Sequence, residues 1–316
     1  QLSPTAADTW AAGDLLLKVK EPIEQEYAYL RSEQVLFTYL HLAADAELTH
    51  ALLDSAVTSI AYETVQDASG SLPLLAPMSE VAGRLAPQVG AYHMLKRSGG
   101  RGVLPAGIPG VHPARIAVIG GGVAGWNAAR IARGMGADVE VLDTDVDRLR
   151  RIDVESDGRI RTVTSNPYAI ERAVLEADLV IGAVLVPGSR APKLVSGELV
   201  SRMMPGAVLV DIAIDQGGCF ADSHPTTHDE PTYRVHDSVF YCVANMPGAV
   251  PQTSTYGLTN VTLPYVSAIA GSGWQAALGA DPSLACGLST HDGTLANAGV
   301  AAAHGLSSEP VERFVS

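Results

Sequence analysis

The stretch from Ala114 to Asp143, ARIAVIGGGVAGWNAARIARGMGADVEVLD, constrains this chain more than any other. Ile116 to Ile119 is a short apolar run, Gly120, Gly122 and Gly125 stand at G-x-G-x-x-G spacing, and Trp126 to Met135 has the composition of a buried helix. Gly120 permits a tight turn, Gly122 lets backbone approach a pyrophosphate, and Gly125 brings helix and strand together. The N–H groups and positive dipole end of the helix then meet the phosphates without a cationic side chain. Gly136 stops the helix, Val139 to Leu142 reads as a second strand, and Asp143 closes it where a carboxylate takes both hydroxyls of an adenosine ribose. Strand, turn, helix, strand and acid in this register predict a dinucleotide site. Asp145 adds a second negative charge and no cation directly follows the strand, which favours NAD over NADP, with Arg148 the nearest positive group.

The rest of the composition suits such a fold. A chain of 316 residues, 47% hydrophobic and 17% charged, is long enough for two domains. A net charge of −13 offers no basic surface to polyanions, so nucleic acid and anionic membrane are excluded as expected partners. No apolar run reaches the length of a membrane span, the longest strand-like runs stopping at Pro187 and Asp211. Cys219, Cys242 and Cys286, without any C-x-x-C, predict free buried thiols in a reducing cytoplasm and no metal site.

Taken in order, Asp14 to Val19 reads as a strand ending at Lys20-Glu21-Pro22, and Ile23 to Arg31 as an amphipathic helix. Gln34 to Leu40 is a second strand ending at His41, Ala46 to Ala56 a helix, and Thr58 to Ala61 a third strand leading to Glu63, which is read as structural. Lys20 and His41 thus fall at carboxyl ends of strands, where ligands of such sheets gather. Ser79 reads as the N-cap of a helix from Glu80 to Lys96, followed by a flexible glycine-rich connection through Ser98 to Gly102 and Pro105 to Gly110. Beyond Asp143 come a variable segment to Ser165, a helix from Pro167 to Glu176, and a strand from Leu179 to Leu185 closed by Val186-Pro187-Gly188. The run Ala207 to Ile214 ends at Asp215-Gln-Gly-Gly, either a catalytic acid or an Asx turn holding the loop, and Val239 to Val243 ends at Ala244-Asn245-Met246. Helices over Thr259 to Gly271, kinked at Pro264, and Trp274 to Gly279 precede a tail that returns to the first domain and whose last dozen residues read as mobile. The fold class is therefore α/β, two Rossmann-like doubly wound domains with the active site in the crevice between them. Residues 1–80 and 250–316 form the substrate domain and 81–249 the NAD-binding domain. A Lys, a His and an Asp beside NAD is the layout of a hydride-transfer enzyme.

Several stretches go further than pattern: Leu15-Leu-Leu-Lys-Val-Lys-Glu-Pro22, Leu40-His-Leu-Ala-Ala44, Ala61-Tyr-Glu-Thr-Val65, Leu74-Leu-Ala-Pro-Met-Ser-Glu-Val-Ala-Gly83, Asp211-Ile-Ala-Ile-Asp-Gln-Gly-Gly-Cys219 and Tyr241-Cys-Val-Ala-Asn-Met-Pro247. With the glycine fingerprint, they resemble the family of L-alanine dehydrogenase and the NAD-binding component of proton-translocating transhydrogenase, and the last two look more like the dehydrogenase. The resemblance implies reversible oxidative deamination of L-alanine to pyruvate and ammonia with NAD. It implies Lys20 as a substrate-binding lysine, with His41 and Asp215 as acid/base groups. The cofactor contacts it implies are Ser79, Asp143, Ser165, Val184, Leu185, Ile212, Asp215, Val243, Ala244, Asn245 and Met246, beside Gly120, Gly122 and Gly125; Arg148 is a further cofactor candidate by its place near the expected cofactor edge, where it departs from the family. It also suggests a homo-oligomer, a hexamer.

The departure from the family lies at the start. Family members carry a further N-terminal segment with an arginine that binds the substrate carboxylate, whereas this sequence opens at Gln1, just ahead of Trp10. A chain without that segment is expected to bind NAD and to turn over alanine poorly. His224, near the expected cofactor edge, is a smaller departure. Two alternatives remain at this point. One is a hydride-relay module like the soluble part of transhydrogenase. The other is a related opine- or lysine-forming dehydrogenase with a different oxo acid.

Overall fold

Thr5 accepts the amide of Asp8 and opens α1 (Ala6–Ala12), which buries Trp10. Then follow β1 (Leu15–Leu17) and β2 (Val35–Thr38). The segment between them is not the amphipathic α-helix that its spacing predicts but a 3-10 helix, Glu24–Tyr29. Glu26 explains the difference: its carboxylate reaches back to the Ile23 amide at 2.9 Å and also takes Lys18 Nζ and Trp10 Nε1, gathering the turn around one acid. Asp45 caps α2 (Ala46–Asp54) by accepting the Leu48 amide at 2.9 Å, and β3 (Thr58–Ala61) follows, buried along its whole length. β1, β2 and β3 are parallel, with Leu36 opposite Leu16 and Ser59.

The chain then enters a second compact unit, Met78–Leu185 with Ala191–Ser254; the first comprises Gln1–Pro77 and Thr255–Ser316. The computed structural model describes residues 2–186 and 191–315, so the expected Pro187-Gly188 turn lies outside the described residues. α3 (Ala76–His93) starts ahead of Ser79, which therefore sits inside the helix and is not its N-cap. The connection expected to be flexible is folded back on that helix. Gly102 donates its amide to Met94 O at 2.8 Å, and a Cβ on Gly100 would collide with His93 and Met94 backbone. There follow β4 (Arg115–Ile119), α4 (Val123–Gly134), β5 (Asp138–Asp143), α5 (Val146–Glu155), β6 (Arg161–Thr164), α6 (Pro167–Glu176) and β7 (Leu179–Gly182). The segment read as variable thus holds a helix and a strand, capped by Asp145, which accepts the amides of Asp147 and Arg148. α7 (Gly197–Ser201), β8 (Val208–Asp211), β9 (Thr232–Val235) and β10 (Ser238–Tyr241) complete the unit.

Its seven strands lie in the order β6-β5-β4-β7-β8-β10-β9. All pairings are parallel except β9 on β10, so β9 is an antiparallel edge that the sequence pattern did not reveal. The strand order reverses between β4 and β7, which is the doubly wound arrangement with its switch point beside Gly120. Two apolar clusters fill the faces of this sheet, one around Val118, Ile181 and Val210, the other around Ile119, Val180 and Phe240.

The return path is α8 (Pro251–Ser272), α9 (Trp274–Ala280), α10 (Pro282–Ala285), β11 (Leu288–His291), β12 (Thr294–Leu295) and α11 (Ala298–His304). α8 begins earlier than the sequence predicts and continues through Pro264. β11 pairs antiparallel with β3, giving a sheet ordered β1-β2-β3-β11-β12, mixed rather than purely parallel. Nor does the tail read as loose: His304 Nε2 lies 2.7 Å from Leu42 O, and the Phe314 ring stands edge-on to His291. Among the described residues no helix is long and apolar enough to cross a membrane.

The core of this first unit joins distant parts of the chain, Leu36, Leu40 and Leu48 packing with Leu295, Val300 and Ala301. Below the β2–β3 surface Phe37 is fully buried, its ring edge-on to Tyr62 at 4.4 Å. Phe37→Ala is expected to cost about 3–5 kcal/mol in urea unfolding, the range for removing a buried aromatic.

Candidate functional site

The glycine loop shows which of its residues packing requires. Gly120 has φ 99°, and a Cβ there would meet Ala183 O at 2.6 Å, so glycine is needed for the turn and for the crossing at the switch point. A Cβ on Gly125 would strike the Gly120 carbonyl. Gly122 is different: at the N-cap of α4, its Cβ would meet nothing within 4 Å. No protein neighbour demands glycine there, which suits close approach of a ligand to the backbone at the head of α4.

Asp143 is buried at the end of β5. Its carboxylate accepts Gly121 N at 2.6 Å and Asp145 N at 2.8 Å, and Arg148 Nη1 lies 3.0 and 3.2 Å from its two oxygens. The two amides tie the glycine loop to the next strand. Arg148, more than a third exposed, is the partner that a ribose would replace.

The remaining cofactor candidates in this unit follow strand ends. Ser165 follows β6 and donates its amide to Asp143 O at 2.8 Å, Val184 and Leu185 follow β7, and Ile212 follows β8 with its amide on Gly182 O. Val243, Ala244, Asn245 and Met246 follow β10, with Val243 and Met246 buried. Together with Gly120 and Asp143 they follow six parallel strands at the same edge of the sheet. Ser79 lies on α3, whose Gly83 leaves no room for a Cβ against Ala124 O of α4.

Asp215 does not close a strand. β8 ends at Asp211, and Asp215 sits in a 3-10 turn, Ile214–Gln216, where its Oδ2 accepts the Asn245 amide at 3.3 Å. Asp211 holds the loop instead. Its oxygens accept Ala213 N, Cys219 N and Phe220 N at 2.9–3.3 Å and the Ser223 hydroxyl at 2.5 Å. Burial pushes its carboxyl up, opposed by the bonds from Ser223, Phe220 and Cys219. Gly217 and Gly218 both take positive φ, and a Cβ on Gly218 would meet Asp211 Oδ2 at 2.7 Å. Cys219 and Cys242 are buried as expected, and burial raises both thiols, Cys242 to about 11; Cys286 is exposed, contrary to expectation.

In the first unit Lys20 and His41 follow the ends of β1 and β2. His41 has φ 51°, a left-handed conformation uncommon outside glycine, although histidine enters it more readily than most. Glu63, fully within the fold at the end of β3, holds it: its carboxylate takes His41 N at 2.7 Å and Leu40 N at 3.2 Å. The structural reading of Glu63 fits that contact. The His41 ring stacks on Tyr39 and its Nδ1 lies 3.2 Å from Glu21 Oε2. Burial would raise the Glu21 carboxyl, yet the His41 hydrogen bond and the charges of Lys20 and His41 hold it at about 2. Lys18, by contrast, is engaged by Glu26.

Two family descriptions match in succession, alanine dehydrogenase/PNT N-terminal domain over residues 1–82 and alanine dehydrogenase/PNT C-terminal domain over residues 86–298. The chain belongs to the alanine dehydrogenase/PNT family. Within that family, it is 66% identical over 301 residues to an alanine dehydrogenase of Mycobacterium tuberculosis, covering 95% of this chain and 81% of the relative. A solved L-alanine dehydrogenase superposes with a TM-score of 0.85 at 49% identity, covering 96% of this chain and 84% of that one. A transhydrogenase from Sinorhizobium meliloti, at 23% identity and a TM-score of 0.71 over 93% of this chain and 82% of its own, shares the fold. Two acids without a role assigned from the sequence hold these loops, Glu21 beside His41 and Asp211 within the Asp215 loop, and Asp143 adds its clasp on two amides. The signal was present only as position, an acid at or just after a strand end.

Asp143→Asn removes the charge and, because Gly121 N and Asp145 N are taken by different oxygens, leaves one of these two amides without its acceptor. NADH affinity, read by calorimetry, is expected to fall about tenfold or more, the order of losing hydrogen bonds to a charged group. NADPH affinity should fall less, because the repulsion of a 2′-phosphate is removed as well.

Proposed function

We infer that the protein is an NAD-dependent alanine dehydrogenase, converting L-alanine, water and NAD to pyruvate, ammonium, NADH and a proton, and running the reverse amination. The observation that carries this is the 66% identity along 95% of the chain to an alanine dehydrogenase, with the relatives' name attached at 52–66% identity. The glycine loop and its open Gly122 fit the dinucleotide by their own geometry. We assign residues 81–249 the NAD-binding role and residues 1–80 with 250–316 the substrate-binding role.

NAD, when bound, supplies the acceptor for the hydride that leaves the alanine Cα. Gly120, Gly122 and Gly125 with the head of α4 would hold its pyrophosphate and Asp143 its adenosine ribose, while Ser79, Arg148, Ser165, Val184, Leu185, Ile212, Asp215 and Val243 to Met246 would frame the rest. Lys20 Nζ binds the carboxylate or carbonyl oxygen of the substrate, where negative charge resides or develops. After hydride loss the substrate is an iminium; a base takes a proton from the water that adds to its carbon, and an acid gives a proton to the departing nitrogen. His41 and Asp215 are the groups we assign to these transfers. The αL turn at His41 and the Asn245 amide on Asp215 Oδ2 support this reading by restraining both groups.

Two further readings go beyond the activity. Three free cysteines fit a reducing cytoplasm. α8, 22 residues without one charged side chain, exposes Tyr256 and Leu263, each about two-thirds accessible. Such a face suits a second copy of the chain, and with the family resemblance we propose a homo-oligomer, a hexamer.

In an assay following NADH absorbance with pyruvate and ammonium, His41→Ala and Asp215→Ala are each expected to lower kcat by about 10²–10⁴-fold, with NADH binding retained in His41→Ala. No turnover by an unsubstituted protein that still binds NADH would overturn the reading. Leu263→Asp should shift the mass in sedimentation towards smaller species; an unchanged mass sinks the α8 interface.

A further inference from the structure

Glu21 has no role in the reading above, yet one of its oxygens meets both functional side chains of its unit. It follows Lys20 at the exit of β1, and Pro22 sets the backbone immediately after it. Oε2 lies 3.2 Å from His41 Nδ1 and 3.8 Å from Lys20 Nζ. The His41 side chain is only 13% exposed and that of Glu21 31%. The contact is therefore half-shielded from water, unlike a surface ion pair.

We propose that Glu21 is a positioning residue for the dehydrogenase reaction: it accepts the Nδ1–H of His41, which leaves Nε2 as the nitrogen that gives and takes the proton. This rests on the reading of His41 as an acid/base group. A neutral imidazole carries one N–H, and the partner of that N–H decides which nitrogen remains basic. A carboxylate on Nδ1 also stabilises the imidazolium formed when Nε2 takes a proton. The His41 hydrogen bond and the Lys20 charge hold the Glu21 carboxyl low, so it meets Nδ1 as an acceptor. The rest of the turn limits the ring's freedom. Glu63 holds the His41 amide, Tyr39 stacks at 5.9 Å between centroids, and α11 braces the next residue through His304 and Leu42 O. With its backbone fixed and one face covered, the ring retains few ways to present Nε2, and Glu21 selects one.

Among the described residues, Lys20 and Glu21 at the β1 exit, Tyr39 beside the ring, Glu63 on the His41 amide and His304 on Leu42 O are the titratable groups at the His41 turn, and Glu21 is grouped in turn with Tyr27, Glu24, Asp45 and Glu47. Glu21 is the acid in hydrogen-bond contact with the imidazole in this set, so its removal bears directly on the Nδ1 proton. Lys20 on the same oxygen couples the substrate-holding cation to the proton carrier. A substrate carboxylate that draws Lys20 away leaves Glu21 with His41 alone, at the moment when His41 must take a proton.

Two measurements on the holoenzyme test this. In the first, nitrogen-15 histidine spectra assign the His41 signals by their loss in His41→Gln and read its tautomer in the unsubstituted protein. Nδ1–H with a titrating Nε2 is expected; the opposite tautomer overturns the proposal whether or not any variant folds. In the second, Glu21→Gln is compared with the unsubstituted enzyme across pH. kcat for alanine should fall about ten- to hundredfold, a part of what a positioned acid/base contributes. The limb of the kcat/KM profile that His41→Gln abolishes should move down by about one pH unit. KM for NAD should stay unchanged, and Glu21→Asp should recover part of the rate. An unshifted limb with kcat unchanged overturns the role. If His41→Gln itself keeps full turnover, the acid/base reading fails, and the tautomer still judges the Glu21 contact separately.

Discussion

Carboxylates that hold backbone amides at strand ends are the interaction on which both units rely. Glu63 takes the amides of Leu40 and His41, Asp143 those of Gly121 and Asp145, and Asp211 those of Ala213, Cys219 and Phe220. Each acid is buried, and each lies at or just beyond the end of a parallel strand. An amide in a buried loop has no helix or sheet partner and costs free energy if left unpaired. One carboxylate with several lone pairs satisfies two or three such amides at once, with bonds stronger than neutral ones. Loops that would otherwise be loose are thereby held as firmly as the strands they follow.

This solution explains where the functional groups sit. His41, Asp215 and the glycine loop all belong to segments clasped in this way, and none belongs to a strand. Parallel strands direct their carboxyl ends to one edge, so the loops that follow them collect there and leave the buried β residues free to pack. His41 and Asn245 adopt left-handed backbone, and Gly217 and Gly218 do so in succession. Such conformations persist only where surrounding contacts over-determine them. Glu63 and Asp211 are those contacts for the His41 turn and the Asp215 loop. The acids that assist the site thus outnumber the acids assigned to chemistry.

Much of this was legible in the chain. The strands over Ile116 to Ile119 and Thr58 to Ala61, the helix over Pro167 to Glu176 and the turn at Gly120 follow from apolar runs, caps and glycine spacing. These signals are local, and local geometry obeys them. Misreadings arose where a partner far along the chain decided the outcome. The segment after Ile23 tightened into a 3-10 turn because Glu26 found Lys18 and Trp10, and α3 started ahead of its apparent cap at Ser79. The tail, read as returning to the first domain without assigned elements, forms β11, β12 and α11 because β3 and Leu42 offer it an edge and a carbonyl.

The sequence by itself determined the α/β class, the family and the glycine loop, and it named the candidates for chemistry, because glycine spacing, strand-end acids and family motifs are written in consecutive residues. Only the tertiary structure decided which acid does what. Asp211 and Asp215 stand four positions apart with the same side chain, and Glu21 and Glu63 differ from one another by nothing in their chemistry. Their surroundings separate them: Glu63 clasps two backbone amides and Asp211 three, Asp215 takes the Asn245 amide with Oδ2, and Glu21 meets the side chains of Lys20 and His41. A carboxylate's function depends on the donors it meets, and those donors arrive from strands distant in sequence.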